Sequence, residues 1–203
     1  MTLRSEKNES SERCNLKSEL YEWFEAVVFA VVAVVLIFTF VFRVVGVEGE
    51  SMKDTLNIQY VRNVNEVEDR LIITKFFYAP KKGDIVVAAL PDQSPIIKRV
   101  IATEGDTVRI DEATGEVYIR EKGASKEYLL DEPYVLDEEY MPSSVYNVGP
   151  VTIPENCVFL LGDNRNNSKD SRFSVIGCVD EKYIIGKAIF RIYPFDRIGT
   201  LYD

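Results

Sequence analysis

The longest apolar segment lies near the start of the chain. Residues 26–42 contain no charged residue, and further apolar residues extend the run on either side. About 20 helical residues are needed to cross a hydrocarbon core of roughly 30 Å, and this segment lacks the polar face that a surface helix of a soluble domain shows. The pattern therefore predicts a transmembrane helix over residues 23–45, preceded by a polar tail without defined structure over residues 1–22.

Two other interpretations of this run are a cleaved signal peptide and a buried core helix. A cleaved signal peptide would have a shorter apolar region followed by a small-x-small cleavage site, but residues 43–47 read Arg-Val-Val-Gly-Val. Basic residues precede the run at Arg4, Lys7, Arg13 and Lys17, and Arg43 follows it. The positive-inside rule then favours a cytoplasmic N-terminus, with the remainder of the chain on the outer face of the membrane.

The pattern changes after the helix to short runs of β-branched and aromatic residues. These runs cover residues 61–65, 71–77, 85–90, 96–102, 107–110, 117–120, 158–161 and 184–193. Gly, Pro and Asp turn signals bound most of them, as is typical of strands. We therefore predict a mostly β fold, of sandwich or barrel type, in one domain over residues 46–203. Residues 112–154 are more polar and contain Pro133, Pro142 and Pro150, which indicates a less regular insertion between core strands.

Composition narrows the possible chemistry. The chain has no histidine among its 203 residues, so a Ser-His-Asp or Cys-His catalytic arrangement cannot form within it. Any nucleophile must be activated by lysine, a carboxylate or a second hydroxyl. The formal net charge of -9 disfavours binding to nucleic acid, and the three cysteines show no metal-ligand spacing. We expect no cofactor, no metal and no nucleic-acid partner.

The cysteines are Cys14, Cys157 and Cys178. An odd number does not form a closed disulfide framework. A bridge between Cys157 and Cys178 is conceivable in an extracytoplasmic domain, but two small buried thiols are the interpretation that we favour.

The first candidate catalytic segment is residues 47–56, which contains Ser51. This serine follows Phe42 by nine residues, and even a fully extended chain of that length reaches only about 30 Å. Ser51 is therefore expected to act near the bilayer surface. Considered alone, a Gly-x-Ser sequence is typical of an ordinary surface loop.

The second candidate is Lys98, which extended alternation places on one face with Ile96 and Val100. Apolar neighbours desolvate a lysine and lower its pKa, as a general base requires; the alternative is a strand-edge lysine with its ammonium in water. The third candidate is residues 162–172, rich in Gly, Asn, Asp and Ser. This composition is typical of a turn-rich loop, but Ser168 could also orient the base while Asp170 and Arg172 form a pair.

In this order, the three segments together closely resemble the bacterial type I signal peptidases, also called leader peptidases. The resemblance covers nearly the whole chain from the apolar helix onward and includes four further segments, at residues 82–87, 98–108, 131–134 and 186–198. This family uses a Ser–Lys dyad, in agreement with the absence of histidine. The resemblance implies a mostly β catalytic domain with a flat apolar surface facing the lipid bilayer. It also implies a substrate that is a secreted preprotein, cleaved after a small-x-small sequence of its signal peptide.

The resemblance also implies roles for individual residues. Ser51 matches the nucleophile, and Lys98 matches the general base. Ser168 matches the serine that hydrogen-bonds the lysine. Asp170 and Arg172 match a pair that supports the site, with Arg99 close by.

The chain departs from the family pattern at two positions. Asp54 stands where the family usually has proline, whose ring would stiffen the turn after the nucleophile. Gly49 stands where some members carry a serine whose hydroxyl helps to bind the oxyanion. The backbone N–H of Ser51 then remains as an oxyanion donor, and the sequence does not name a second one.

Three rival interpretations remain beside the peptidase. A self-cleaving Ser–Lys protease of the SOS-repressor type would carry a DNA-binding domain where this chain has its apolar helix. A membrane-tethered binding protein on a degenerate peptidase fold would need neither Ser51 nor Lys98. An envelope structural protein without a site would not explain the matching segments. Cleavage of a preprotein at the expected position separates the enzyme from the other classes.

Overall fold

The computed structural model describes residues 2–53, 55–56, 68–91, 93–135, 141 and 149–202, with side chains from residue 19 onward. The chain forms two compact units, Met1–Phe42 and Arg43–Asp203. The first unit contains the α-helix, and the second contains nearly all of the β-structure. The prediction of a mostly β protein with one apolar N-terminal helix is confirmed.

Helix α1 comprises Thr2–Phe40, and its segment Glu19–Phe40 is long and apolar enough to cross a membrane. None of that segment is buried within the protein. The helix includes residues that we expected to form a tail without defined structure, because the Glu, Lys, Arg and Leu residues there are good helix formers. The helix predicted over residues 23–45 ends earlier than expected, at Phe40. Phe42–Gly46 is instead a strand, as the β-branched Val44 and Val45 favour.

The strands of the second unit agree closely with the apolar runs. They are β1 Phe42–Gly46, β2 Arg70–Thr74, β3 Ile85–Ala88, β4 Ile96–Thr103, β5 Thr107–Ile110, β6 Val117–Arg120, β7 Tyr128–Leu129, β8 Val151–Thr152, β9 Cys157–Leu161, β10 Val179–Asp180, β11 Ile184–Tyr193 and β12 Gly199–Thr200. The strand expected over residues 61–65 lies outside the described residues. Within the polar segment 112–154, the described part supplies β6, β7 and β8, so it is more regular than expected.

The strands form two sheets. The larger has the order β1-β2-β11-β3-β4-β9-β10, with β12 also paired to β11, and the smaller has the order β7-β6-β5-β8. Strand β3 lies inside the larger sheet and is buried on both faces. Its Ile85 and Val87 belong to one apolar cluster, whereas Val86 and Ala88 belong to another. Strand β3 therefore forms a rigid centre beside the strand that carries Lys98.

Strand β4 brings the candidate segments together. Lys98 pairs with Val86 of β3, and Arg99 pairs with Leu161 at the end of β9. Because successive side chains of a strand point to opposite faces, Lys98 and Arg99 serve different sides of the sheet. The chain leaves β9 at Leu161 and enters residues 162–172, which start beside β4.

Candidate active site

Ser51 and Lys98, which are 47 residues apart in sequence, lie in direct contact. The Nζ of Lys98 donates a hydrogen bond to Ser51 Oγ over 2.6 Å and a second to the Ile97 carbonyl over 2.9 Å. The Lys98 residue is only 3% exposed. Among the described residues, none of the carboxylates forms an ion pair with it. A buried lysine held against a serine hydroxyl is suited to accept that hydroxyl's proton.

Burial changes the acidity of this lysine. Desolvation lowers the pKa of Lys98 to about 8, because the charged form loses its hydration. The nearby Asp170 and Asp163 oppose this shift of the pKa, and Arg172 adds to it. At pH 7 about a tenth of the lysine is then neutral, against fewer than about one in a thousand for an ordinary lysine.

The turn that carries Ser51 follows β1 and is fixed by its backbone. The Ser51 carbonyl accepts a hydrogen bond from the Asn164 N–H over 3.1 Å. The Glu50 carbonyl accepts one from Asn164 Nδ2 over 3.1 Å and one from the Lys53 N–H over 3.0 Å. Met52 is buried at 2% exposure and anchors the turn in the core. Ser51, the candidate nucleophile, thus lies on a turn in which the carbonyls of Glu50 and Ser51 both accept hydrogen bonds.

The two departures from the family pattern, Gly49 and Asp54, flank Ser51 in the sequence. Gly49 has a φ of +81°, a conformation that glycine adopts readily and other residues rarely do. A serine at this position would be strained in the backbone conformation found here. Asp54 lies outside the described residues.

Gly162 packs directly against the turn that carries Ser51, called here the nucleophile turn. A Cβ at this position would lie 2.2 Å from Ser168 Oγ and 2.4 Å from the Ser51 carbonyl oxygen. No side chain fits there without displacing one of them. We did not assign a role to Gly162 from the sequence, although a glycine directly after a strand is a signal of close backbone approach.

Ser168 lies in the loop beside this glycine, buried at 6% exposure. Its Oγ has no hydrogen-bond partner within the described part of the chain. The hydrogen bond from Ser168 to Lys98 that the resemblance implies is therefore not formed in this structure. Ser168 and the Ser51 carbonyl both lie against Gly162, but Ser168 makes no hydrogen bond to the Lys98 amine.

Asp170 and Arg172 form a buried pair that shapes the loop. Arg172 donates from Nε and Nη2 to the two Asp170 carboxylate oxygens, each over 2.9 Å, and from Nη2 to the Arg165 carbonyl over 2.8 Å. Asp170 also accepts from the Gly162 N–H over 3.1 Å. Both side chains are at most 1% exposed. The pair closes the loop on the end of β9 and places Gly162 against Ser51.

Arg99 makes a second buried ion pair, on the other side of the strand from Lys98. Its Nε and Nη2 donate to Asp163 over 2.9 and 2.7 Å, and its guanidinium stacks 3.8 Å from the ring centre of Tyr134. Thr55 donates to the same carboxylate over 2.5 Å. Arg99 thus ties β4, the loop and the nucleophile turn together without touching the dyad. Sequence reasoning missed Asp163 and Thr55, whose partners are distant in sequence.

Other ionisable groups add no second centre to the described structure. No group of three or more Cys, Asp or Glu side chains lies close enough to hold a metal ion within the described residues. Cys157 and Cys178 are free, half-buried thiols. Burial raises the pKa of each thiol, which disfavours the reactive thiolate.

Comparison with known proteins gives consistent matches over most of the chain. The family described as "Signal peptidase, peptidase S26" matches residues 20–193. Signal peptidase I S of Bacillus subtilis (strain 168) is 34% identical over 188 residues, covering 93% of this chain and 97% of its own. Signal peptidase I of Leptolyngbya laminosa is 36% identical over 196 residues, covering 91% and 85%. A crystal structure of a signal peptidase I from Enterococcus faecalis V583 aligns with a TM-score of 0.41 and 28% identity, over 54% of this chain and 97% of its own.

Proposed function

Because this chain belongs to the signal peptidase family, peptidase S26, we propose that it is a membrane-anchored serine endopeptidase with Ser51 as nucleophile and Lys98 as general base. Its substrates are secreted preproteins, from which it removes the signal peptide after a small-x-small sequence. The observation that carries the proposal is the 2.6 Å hydrogen bond between the buried Lys98 Nζ and Ser51 Oγ.

The first half of the mechanism forms an acyl-enzyme. Neutral Lys98 takes the proton from Ser51 Oγ, which bonds to the carbonyl carbon of the scissile peptide. The Ser51 N–H stabilises the oxyanion of the tetrahedral intermediate. As the C–N bond breaks, the Lys98 ammonium gives its proton to the leaving amine, which departs as the new N-terminus of the mature protein. The signal peptide remains attached to Ser51 as an ester.

The second half releases the signal peptide. Lys98, neutral again, takes a proton from a water molecule that attacks the ester carbonyl. The bond from Ser51 Oγ to the acyl carbon breaks, and Oγ recovers its proton from Lys98. The low pKa of Lys98 supports both halves, because the same amine must exchange one proton repeatedly near neutral pH.

The supporting residues hold this arrangement rather than react. Asp170 and Arg172 fix the loop against the nucleophile turn, and Arg99 fixes β4 through Asp163. Ser168 fills the space beside Gly162.

We further propose that the helix spans the membrane up to Phe40, with the N-terminus cytoplasmic and the catalytic domain, which begins with β1 at Phe42, on the outer face. The apolar segment Glu19–Phe40 supports the anchor, and only eight residues separate Phe42 from Ser51, which keeps the nucleophile close to the anchor along the chain. The cleavage region of a signal peptide leaves the bilayer at that surface. Anchoring there raises the effective concentration of enzyme and substrate for each other.

Preprotein cleavage is the direct test of the proposed activity. Purified full-length protein in detergent, incubated with a preprotein, should release a product whose new N-terminus directly follows the small-x-small sequence. Below pH 8 the rate should fall about tenfold for each pH unit, because only the neutral Lys98 accepts the Ser51 proton. N-terminal sequencing of the product and a pH series of initial rates measure both outcomes.

The matched control is the same preprotein with a tryptophan in place of the small residue before the cleaved bond, which should not be processed. A protein that binds the preprotein but releases no new N-terminus at any pH would instead be a binding protein on a peptidase fold. A rate independent of pH between 6 and 9 would contradict the role of Lys98.

Thiol labelling tests the orientation of the anchor. With Cys157 and Cys178 replaced by serine, Cys14 should react with a membrane-impermeant maleimide only after the membrane is permeabilised. In a Cys14→Ser background, a reporter introduced by Lys126→Cys on the exposed surface of the catalytic domain should react in intact cells. The reverse labelling pattern would contradict the proposed orientation.

A further inference from the structure

We propose that Asn164 is a positioning residue for the oxyanion donor: it fixes the peptide plane between Glu50 and Ser51 so that the Ser51 N–H faces the substrate. This inference deepens the proposed function and rests on it. It assigns a task to a side chain for which sequence reasoning proposed none.

Asn164 contacts both carbonyls of the nucleophile turn. Its Nδ2 donates to the Glu50 carbonyl over 3.1 Å, and its backbone N–H donates to the Ser51 carbonyl over 3.1 Å. The Lys53 N–H donates to the same Glu50 oxygen over 3.0 Å. The Glu50 carbonyl is thus held by one donor from its own turn and one from the loop.

The orientation of the Asn164 amide follows from its partners. Its other side-chain atom lies 3.2 Å from the Asn167 backbone N–H, which can only donate, so that atom is the oxygen Oδ1. The nitrogen Nδ2 therefore faces the Glu50 carbonyl, which can only accept. Asn164 is 8% exposed, so this amide has few alternative partners in water.

A fixed carbonyl fixes the N–H on the other side of the same peptide bond. The peptide unit is planar and trans, so the Glu50 C=O and the Ser51 N–H point in opposite directions. The Ser51 N–H donates to no residue in the described part of the chain, and Ser51 itself is half-buried. A donor held in one direction with no internal partner is preorganised for charge that develops on a substrate oxygen.

Gly49 makes this donor more important. Glycine has no hydroxyl, so no side-chain donor two residues before Ser51 is available to the oxyanion. The φ of +81° at Gly49 would also disfavour a serine at that position. More of the stabilisation then falls on the Ser51 N–H, whose direction Asn164 sets.

The experiment compares Asn164→Asp and Asn164→Ala with Asn167→Ala in the full-length enzyme. Aspartate keeps the shape and the acceptor but loses the donor to Glu50. Asn167 lies in the same loop and also contacts Glu50, but through the side-chain carboxylate over 2.9 Å rather than the peptide. Rates are taken well above the pKa of Lys98, so that its protonation does not contribute.

We expect kcat to fall about 10- to 100-fold in both Asn164 variants, because misdirecting an oxyanion donor removes part of the roughly 10²- to 10³-fold that such a donor supplies. KM should stay within about twofold, since the oxyanion develops only in the transition state. Affinity for a peptide aldehyde, which forms a tetrahedral adduct with Ser51, should fall by about the same factor as kcat. In Asn164→Ala the midpoint of the pH profile should remain at about 8, the pKa of Lys98.

Several results would overturn the inference: a near-normal kcat in either Asn164 variant, an equal loss in Asn167→Ala, or a loss confined to KM. Binding of a non-reacting signal-peptide analogue reports whether each variant keeps its fold, and a variant that binds the analogue normally yet cleaves slowly supports the assignment. If the unaltered enzyme cleaves no preprotein, the proposed function fails instead, which is a distinct outcome.

Discussion

Replacing Ser51 by alanine, or Lys98 by methionine, is expected to lower preprotein cleavage by on the order of 10⁴- to 10⁶-fold, the range found when one member of a cooperating catalytic set is removed. In the proposed mechanism, Ser51 Oγ bonds to the substrate, and Lys98 Nζ is the only described side-chain group that hydrogen-bonds to that atom. Because Ser51 and Lys98 act together, either variant loses the catalytic effect of both residues. Initial rates with a preprotein substrate, quantified as mature product over time, measure the loss.

Two further variants make this result specific. Lys98→Arg should also be inactive, because arginine keeps its proton near neutral pH and cannot act as a base. Lys169→Met should retain activity, since Lys169 lies in the same loop region but is exposed. A folded Lys98→Met variant that processes preprotein at a near-normal rate would refute the dyad, and so would an equal loss in Lys169→Met.

Much of the fold could be predicted because its strands are locally encoded. The runs at residues 107–110, 117–120 and 184–193 coincide with β5, β6 and β11. In these segments, β-branched and aromatic residues favour an extended backbone whatever the partner strand. Where a local feature interrupts the run, the strand is shorter. Strand β2 ends at Thr74, before Phe77 with its φ of +47°.

The identity of the dyad could be proposed from the sequence, but the way in which it is held could not. Ser51 and Lys98 stand in recognisable segments, and the absence of histidine limited the possible bases. Asn164 and Asp163 act through partners more than 60 residues away, on the nucleophile turn and on β4. A loop rich in Asn, Asp and Gly suits many turns, so composition alone cannot assign these contacts.

The loop also explains why the buried Lys98 amine has a lowered pKa. Asp170 lies near Lys98 but is occupied by Arg172 through both carboxylate oxygens. This pairing leaves Lys98 without a direct counter-charge among the described residues, so desolvation dominates and its pKa falls. The same arrangement that prepares the base should therefore destabilise the folded domain at neutral pH.

This cost leads to a stability prediction that is independent of catalysis. Folding lowers the pKa of Lys98 from 10.5 to about 8, and at roughly 1.4 kcal/mol per pKa unit this corresponds to about 3 kcal/mol. Below pH 8 the amine is protonated in both states, so the folded state carries the full penalty. The free energy of unfolding should rise between about pH 8 and 10.5, as the folded state loses its proton first.

Lys98→Met removes the charge while keeping a side chain of similar length, so it should be more stable than the unaltered protein at pH 7, by up to about 3 kcal/mol. The difference should shrink as pH rises from 8 and nearly vanish above 10.5, because Lys98 is then neutral in both states. Denaturant unfolding of the full-length protein in detergent, followed by circular dichroism of the β domain, measures it at each pH. Subtracting the Lys98→Met curve cancels other groups that titrate in this range, and Lys169→Met, exposed in the same loop, should show no such difference. A Lys98→Met variant less stable than the unaltered protein at pH 7, or a difference independent of pH, would mean that burial does not disfavour the charged amine, and the base would then need another source of activation.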